Sequence, residues 1–305
     1  MSQKKAIVVC GPTASGKTSL AIDLATMTNS EIINADSVQI FKYLNIGSAK
    51  PTREEQQTVP HHMIDVAQPD EIFSGGRYSE MARQQFDDII KRGKNVVICG
   101  GTGLYIKSLV NGLFNGPSAD QNLREDLKNI ESKNPGYLHQ TLFQVDPDTA
   151  KRLNQNDHVR LIRALEVYYL TNIPISTHHE KHRKTPPYCK TFTYVLDPGK
   201  EVLEKRIHKR VKEMLNEGFV DEVQGLLDMG YSPDLRSMQS VGYKQVLMFL
   251  SGKISRDKLE DEIANSHIKY VKQQRTFFRE FGIQIPDASG INPDEINLFF
   301  SGNLP

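Results

Sequence analysis

The sequence contains 305 residues, 38% of them hydrophobic, which is long enough for a full α/β core and a second element. It has 38 Lys and Arg against 37 Asp and Glu, so the net charge of +1 neither supports nor excludes a nucleic-acid partner. No apolar run reaches the ~18 residues of a membrane span and the N-terminus lacks the apolar length of a signal peptide, so we expect a cytoplasmic enzyme with no membrane partner.

Apolar runs predict five β-strands in chain order, at residues 5–10, 31–35, 62–66, 95–103 and 192–197. Helical stretches such as 78–91 lie between them. Strands that alternate with helices predict a parallel sheet with helices on both faces. Cys10 and Cys99 close two of these runs and are expected to be small buried residues.

The interval 115–190 breaks this alternation, because helical patterns dominate it and no strong strand appears. One predicted helix begins after Asp157, which is placed to cap it, and it carries an apolar face made of Leu161, Ala164, Leu165 and Tyr168. Residues 178–190 are interpreted as an exposed basic loop that returns to the core. The sequence therefore predicts an α/β core at 1–114 and 191–305, and a mainly helical insertion domain at 115–190.

The segment GPTASGKT has the spacing of a phosphate-binding loop, G-x-x-x-x-G-K-[ST], between a predicted strand and a predicted helix. Its backbone amides and the positive end of the helix are expected to bind phosphate. Lys17 would neutralise phosphate charge, and the Thr18 hydroxyl would serve Mg²⁺. The predicted phosphate-binding residues are Gly11, Pro12, Thr13, Ala14, Ser15, Gly16, Lys17 and Thr18. The motif does not identify the molecule that carries the phosphates.

Two further strand ends carry candidate side chains. Asp36 follows the second predicted strand, at the edge where open α/β sheets bind ligands, and its carboxylate could bind Mg²⁺-bound water, accept a proton from a nucleophile, or cap a helix. The fourth strand ends in glycines and Thr102, whose neutral hydroxyl cannot act as a strong base. The glycines are expected to let a ligand approach the backbone. The missing acidic residue argues against simple nucleotide hydrolysis.

The segment YVKQQRTFFREF predicts an amphipathic helix near the C-terminus. One stripe carries Tyr270, Phe277 and Phe281, and the opposite stripe carries Lys272, Arg275 and Arg279. The aromatic face is expected to pack on the core. The basic face would meet phosphate, or would be an ordinary solvated face.

Together these motifs resemble the bacterial tRNA dimethylallyltransferases, also called tRNA isopentenyltransferases. The resemblance covers nearly the whole chain through about Phe281 and rests on GPTASGKT, ADSVQIFKYLNIGSAKPT, VPHHMIDV, GGTGLYIKSL, NDHVRLIRALEVY, RIHKRVKEML, SVGYKQVL and KQQRTFF, in the family's order. It implies a P-loop NTPase-like fold. It also implies transfer of a dimethylallyl group from its diphosphate to the N6 amine of the adenosine that follows the anticodon.

The resemblance assigns catalytic roles to Asp36, Thr102 and Arg210. Asp36 would take the proton of the adenine amine, Thr102 would position the diphosphate, and Arg210 would neutralise the departing charge. A surface ion pair with Glu213 or Glu217 is the alternative for Arg210. The phosphate-binding loop would hold dimethylallyl diphosphate with Mg²⁺ near Thr18, and ATP is the alternative ligand of that loop.

The resemblance also implies that the adenosine is flipped out of the anticodon loop into the protein. The implied tRNA contacts are Asp36, Ser37, Val38, Gln39, Thr102, Arg124, Val159, Arg160, Leu161, Ile162, Arg163, Gln239, Ser240, Val241, Gly242, Tyr243, Lys244, Lys272 and Gln274. The chain departs from the family at Gln273, where an arginine is common, and at Phe277, where a tryptophan is common. We expect a monomer.

Two other enzyme classes share parts of this pattern. A small-molecule or nucleotide kinase would share the loop and the sheet, but would need ATP turnover and an arginine-bearing lid. An isopentenyltransferase that acts on free adenine nucleotides would share the loops. The long insertion and the RNA-facing motifs favour tRNA over both.

Overall fold

The computed structural model describes residues 3–302. The chain forms two compact units, one made of the chain up to Val110 and from Tyr188 onwards, the other of Asn111–Pro187. The sequence placed these boundaries at 114/115 and 190/191. Within residues 3–302, no helix combines the length and the apolar character that a membrane crossing needs.

One parallel sheet forms the centre of the first unit. Its strands are β1 (Lys5–Cys10), β2 (Ser30–Asn34), β3 (His61–His62), β4 (Asn95–Gly100), β5 (Lys190–Leu196) and β6 (Ile283–Ile285). They lie in the order β3-β2-β4-β1-β5-β6, and every pairing is parallel. The predicted α/β class with a parallel sheet is therefore confirmed.

The sheet differs from the prediction at both edges. The strand expected at 62–66 ends at His62, because Met63 and Asp65 have positive φ angles of 64° and 56° that extended pairing does not allow. The last strand, β6, was missed. It contains only three residues, two of them exposed, so it carries too little apolar pattern to be recognised.

The helices are α1 (Lys17–Met27), α2 (Arg53–Thr58), α3 (Gly75–Lys91), α4 (Gly103–Asn111), α5 (Gln121–Lys133), α6 (Tyr137–Val145), α7 (Pro147–Ala150), α8 (His158–Thr171), α9 (Ile175–Arg183), α10 (Lys200–Asn216), α11 (Phe219–Asp228), α12 (Tyr243–Leu250), α13 (Arg256–Phe278) and α14 (Pro293–Ser301). A short 3-10 helix, Ala288–Gly290, precedes α14. Local sequence explains many of these boundaries. The Ser74 side chain, for example, accepts a hydrogen bond from the Arg77 amide and caps α3.

Apolar side chains cover both faces of the sheet. Successive residues of β1 alternate between two hydrophobic clusters, Ala6 and Val8 in one and Ile7 and Val9 in the other. This alternation follows from strand geometry, in which neighbouring side chains point to opposite faces. Cys10 and Cys99 are both buried, as predicted.

The second unit contains α5 to α9. Its core includes Leu161, Ala164 and Leu165 of α8, and the Asp157 side chain accepts from the Arg160 amide at the start of that helix, as predicted. The basic segment interpreted as a loop from 178 is instead helical up to Arg183, where α9 ends.

Candidate active site

The three candidate segments lie next to one another because of the strand order. The phosphate-binding loop follows β1, Thr102 follows β4, and Asp36 follows β2, and β4 pairs with both other strands. Their ends are level, since Cys10 pairs with Gly100 and Asn34 with Cys99. These carboxyl ends border a cavity of about 830 Å³, the position where open parallel sheets bind ligands.

The loop after β1 requires glycine at two positions of its backbone. Gly11 has φ 152°, and a Cβ there would lie 2.3 Å from the Leu196 carbonyl oxygen, so a side chain cannot be accommodated. Gly16 is left-handed with φ 96° immediately before α1. Arg206 of α10 stabilises the loop by donating a hydrogen bond to the Ser15 carbonyl at 3.0 Å. No sequence motif had pointed to a role for Arg206.

Lys17 and Thr18 line the cavity at the start of α1. Lys17 Nζ donates to the Pro12 carbonyl at 3.4 Å. Burial lowers the pKa of Lys17, and Arg210 lowers it further, whereas Asp36 opposes the change. An anion bound here would favour the charged ammonium, so binding of phosphate and protonation of Lys17 support each other.

Asp36 occupies a tight turn after β2. Its Oδ1 accepts from the amides of Val38 at 2.9 Å and Gln39 at 3.3 Å, while Oδ2 has no hydrogen-bond partner among the described residues. The turn does not continue into a helix, so the alternative of a helix N-cap is not observed. Asp36 lines the cavity and therefore presents one carboxylate oxygen for a ligand.

Thr102 is held against Ser37 on the neighbouring strand end. Its Oγ1 accepts from the Ser37 amide at 3.0 Å and donates to the Ser37 hydroxyl at 3.2 Å. Its own amide donates to the Ala35 carbonyl at 3.0 Å. The Ser37 side chain borders the cavity, so Thr102 supports the turn that carries Asp36.

Arg210 reaches the same cavity from α10. Burial lowers the pKa of Arg210, although Asp36 and Glu213 act in the opposite direction. Among residues 3–302 it forms no salt bridge, and Glu213 instead approaches Lys209 at 3.7 Å. The surface ion pair considered for Arg210 is therefore not observed, and its guanidinium remains available to an anion.

The glycines at the end of β4 pack closely against protein groups, and Gly100 also borders the cavity. A Cβ on Gly100 would lie 2.1 Å from the Ala35 carbonyl oxygen, and one on Gly103 would lie 1.9 Å from the Phe277 ring. A Cβ on Gly101 would lie 2.5 Å from Nε2 of Gln274. The absence of side chains here permits close packing of the strand end.

The C-terminal helix α13 faces the core with residues other than those predicted. It ends at Phe278, so Phe281 lies beyond it, and Phe277 is 42% exposed. The buried residues of its last turns are Val271, Gln274 and Phe278. The predicted aromatic core face is confirmed only in part, because Phe281 packs partly buried against the core, whereas Phe277 is exposed and the buried stripe includes a glutamine.

Gln274 joins two of the candidate loops. Its Oε1 accepts from the Thr13 amide at 2.9 Å and from the Thr13 hydroxyl at 3.3 Å. Its Nε2 donates to the Gly101 carbonyl at 3.0 Å. With 5% of its surface exposed, the side chain connects the phosphate-binding loop to the segment that carries Thr102.

The predicted basic face of α13 is only partly free. Lys272 is exposed, whereas Arg275 donates to Asp197 at 2.6 Å.

The segment before α12 contains further predicted tRNA contacts. Three of them, Gln239, Ser240 and Val241, line the cavity. Of the remaining candidates, Gly242 and Tyr243 are buried and Lys244 is exposed.

The second unit contains the remaining predicted tRNA contacts. Arg124 and Arg163 both bind the fully buried carboxylate of Glu166, at 2.7 Å and 2.5 Å. Leu161 and Ile162 belong to the core of this unit. The exposed members of this set are Val159 and Arg160.

The described residues contain no cluster of three or more His, Cys, Asp or Glu side chains that could hold a metal ion by themselves. Mg²⁺ does not require such a cluster, because it commonly keeps waters and binds substrate phosphates with one or two protein ligands. The Thr18 hydroxyl on the cavity wall beside the loop suits that arrangement.

Comparison with known proteins gives a consistent result. The family model described as IPP transferase matches residues 39–281. A tRNA dimethylallyltransferase of Acetivibrio thermocellus is 43% identical over 294 residues, covering 95% of this chain and 92% of the relative. A Bacillus halodurans tRNA isopentenylpyrophosphate transferase structure has a TM-score of 0.70 at 32% identity, covering 99% and 97% of the two chains. A eukaryotic dimethylallyltransferase solved acting on tRNA has a TM-score of 0.80 at 28% identity, covering 99% and 80%.

Proposed function

The chain belongs to the IPP transferase family, and we propose that it transfers a dimethylallyl group from dimethylallyl diphosphate to tRNA. The acceptor is the N6 amine of the adenosine 3′-adjacent to the anticodon. The observation that carries this proposal is the convergence of the phosphate-binding loop, Asp36 and Arg210 on one cavity. The family resemblance alone gives the position of the adenosine in the tRNA.

The phosphate-binding loop holds the diphosphate in this proposal. Its amides, Lys17 and Arg210 stabilise the negative charge that grows as the allylic carbon–oxygen bond breaks. The electron pair of that bond leaves with the diphosphate. Mg²⁺, held with the Thr18 hydroxyl, would supply further neutralisation of the leaving group when bound.

Asp36 acts on the incoming amine. Its Oδ1 is engaged by the turn, and Oδ2 accepts the hydrogen bond of the adenine N6 amine. As the nitrogen–carbon bond forms, the proton of the amine passes to this carboxylate. Because an adenine amine is a weak nucleophile, alignment with the allylic carbon matters, and Thr102 contributes by holding the Asp36 turn through Ser37.

Exposure supports part of the proposed tRNA contacts of the first unit. Gln239, Ser240 and Val241 border the cavity and are placed to meet a flipped nucleotide. Lys244 and Lys272 are exposed cations that suit phosphate. In the second unit, exposed Arg160 is the best candidate, whereas Arg124 and Arg163 are engaged by Glu166. We expect the enzyme to act as a monomer in the cytoplasm, as the family resemblance implies.

The decisive experiment is incubation with unmodified tRNA, Mg²⁺ and radiolabelled dimethylallyl diphosphate, beside a parallel reaction with AMP. The proposal requires label in tRNA and not in AMP. Label in AMP alone would favour an adenine-nucleotide isopentenyltransferase. Label in neither, with ATP consumed when small acceptors are added, would favour a kinase.

A further inference from the structure

His267 is a buried residue of α13 that lies outside the sequence motifs. It is 8% exposed, and neither of its ring nitrogens has a hydrogen-bond partner among the described residues. Buried polar atoms in folded proteins are nearly always paired, because an unpaired one is destabilising. An unpaired imidazole in the wall of a substrate cavity therefore points to a partner that arrives with the ligand.

The imidazole lies in the wall of the candidate active site. It borders the same cavity as Lys17, Asp36 and Arg210. Its Nε2 lies 3.6 Å from the position that a Cβ on Gly242 would occupy, which places the ring beside the start of α12. Tyr270, three residues later on the same helix face, also borders the cavity.

This wall carries two cationic side chains, Lys17 and Arg210, beside the carboxylates of Asp36 and Glu213. Arg210 forms no salt bridge in the described part of the chain, since Glu213 approaches Lys209 instead. Lys17 makes one long contact, with the Pro12 carbonyl. Positive side chains whose donors are unused are typical of a site for an anion.

We propose that His267 donates a hydrogen bond to the diphosphate of the allylic substrate, on the side of the cavity where Arg210 binds it. The inference rests on the proposed function, since it takes the diphosphate to be the anion at this site. In this proposal α13, the helix that also carries Gln274, contributes a side chain to diphosphate binding in addition to the loop and Arg210.

The neutral adenine base suits His267 less well than the diphosphate does. Arg210 and His267 border the same cavity, so an anion that contacts the imidazole also lies near a positive charge. Burial lowers the pKa of His267 to about 4, and the Arg210 charge adds to this effect. The imidazole is therefore neutral near pH 7, and one of its nitrogens carries a proton that it can donate.

The test compares pyrophosphate binding by the wild-type protein and its variants, measured by calorimetric titration with inorganic pyrophosphate and Mg²⁺. His267→Leu fills the site without a donor, and His267→Gln restores an N–H. We expect about a tenfold loss of pyrophosphate affinity in His267→Leu, and partial recovery in His267→Gln. His208→Leu, at an exposed histidine of α10, is the matched control and should bind normally.

Equal pyrophosphate affinity in His267→Leu and the wild type would overturn the inference. A loss confined to tRNA affinity, measured in parallel by filter binding, would also overturn it and would place the imidazole against RNA. If His267→Leu does not fold, His267→Phe provides a ring without a donor for the same comparison. The titration requires no transfer reaction, so its result is separate from failure of the wild-type protein to modify tRNA.

Discussion

Gln274 donates a hydrogen bond to the carbonyl oxygen of Gly101 at 3.0 Å, at a point where a side chain on Gly101 would collide with it. The same glutamine accepts from the Thr13 amide at 2.9 Å. The pair thus fixes the separation between the phosphate-binding loop and the strand end that leads to Thr102. In the proposed reaction, that separation aligns the leaving group with the nucleophile.

Replacing Gln274 with glutamate should therefore impair transfer. The glutamate carboxylate cannot donate a hydrogen bond to the Gly101 carbonyl. One of its oxygens would instead face the carbonyl oxygen, and both atoms are acceptors. We expect kcat/KM to fall at least about tenfold, which corresponds to about 1.4 kcal/mol of transition-state stabilisation. Steady-state kinetics with each substrate varied in turn would measure this loss. Gln273→Glu, at the exposed neighbouring position, should keep kcat/KM for dimethylallyl diphosphate near the wild-type value. Normal kinetics in Gln274→Glu would show that this bridge has no part in alignment.

Asp36→Asn should abolish most activity while leaving the turn intact. The amide oxygen can still accept from the Val38 amide, but the side chain no longer accepts a proton from the adenine amine. We expect a loss in kcat of about 10²-fold or more, determined by single-turnover transfer of label to tRNA. Asp70→Asn, at an exposed site, serves as the control. A loss smaller than about tenfold would remove Asp36 from the chemical step.

Arg210→Gln should weaken both binding and departure of the diphosphate. The guanidinium has no salt bridge among residues 3–302, so its removal leaves no buried carboxylate unpaired. We expect kcat/KM for dimethylallyl diphosphate to fall about 10²-fold, with tRNA affinity unchanged. Lys212→Gln tests loss of an exposed cation on the same helix. A purely structural role for Arg210 would instead lower the melting temperature without this selective kinetic loss.

Glu166→Gln should destabilise the second unit. Glu166 is fully buried and binds both Arg124 and Arg163. Breaking a buried ion pair of this kind typically costs about 3 kcal/mol of unfolding free energy, which urea denaturation would detect. Glu180→Gln, at an exposed pair with Lys184, should have little effect.

The contribution of Glu166 to stability should also depend on pH. Burial alone would raise its pKa, but the hydrogen bonds from Arg124 and Arg163 outweigh burial and lower it below the ordinary value of 4.5. A lowered folded-state pKa means that this contribution is complete above 4.5 and is lost as pH falls through the folded-state value. The stability difference between the wild type and Glu166→Gln should therefore shrink on acidification, and a constant difference between pH 7 and pH 3 would contradict this account.

Charge removal should distinguish free from engaged cations in tRNA binding. Lys272→Gln should weaken tRNA binding and reduce the slope of log affinity against log salt by about one, because an exposed lysine releases a counterion when it meets phosphate. Arg275→Gln should change the slope less, since Arg275 is already bound to Asp197. Filter binding over a salt series measures both. Equal slopes in the wild type and Lys272→Gln would exclude Lys272 from phosphate contact.

The sequence predicted those features that short segments determine. The glycine and lysine spacing of residues 11–18 required a strand before it and a helix after it, and both are present as β1 and α1. Asp157 caps α8 because its side chain lies within reach of the Arg160 amide, an interaction set by three residues of chain. The parallel sheet followed from alternating strands and helices.

Other features depended on contacts between residues that are distant in sequence. Gln274 and Thr13 are separated by 261 positions, and nothing in the spacing of the helical segment shows that its inward stripe contains an amide bridge. The strand-end glycines leave space for the Ala35 carbonyl and the Phe277 ring, and these groups lie beside the glycines only in the folded chain. The short edge strands escaped detection or were misplaced because pairing with a neighbour, more than local pattern, defines them.

The sequence by itself determined the family, the phosphate-binding loop and the strand ends that carry Asp36 and Thr102, because each depends on residue types at fixed local spacing. Only the tertiary structure decided which polar groups are already paired within the protein and which remain for a substrate. Arg124 and Arg163 are engaged by Glu166, whereas Arg210 and His267 have unused hydrogen-bonding groups facing the cavity. That distinction depends on burial and on partners supplied by other elements, which no spacing along the chain encodes.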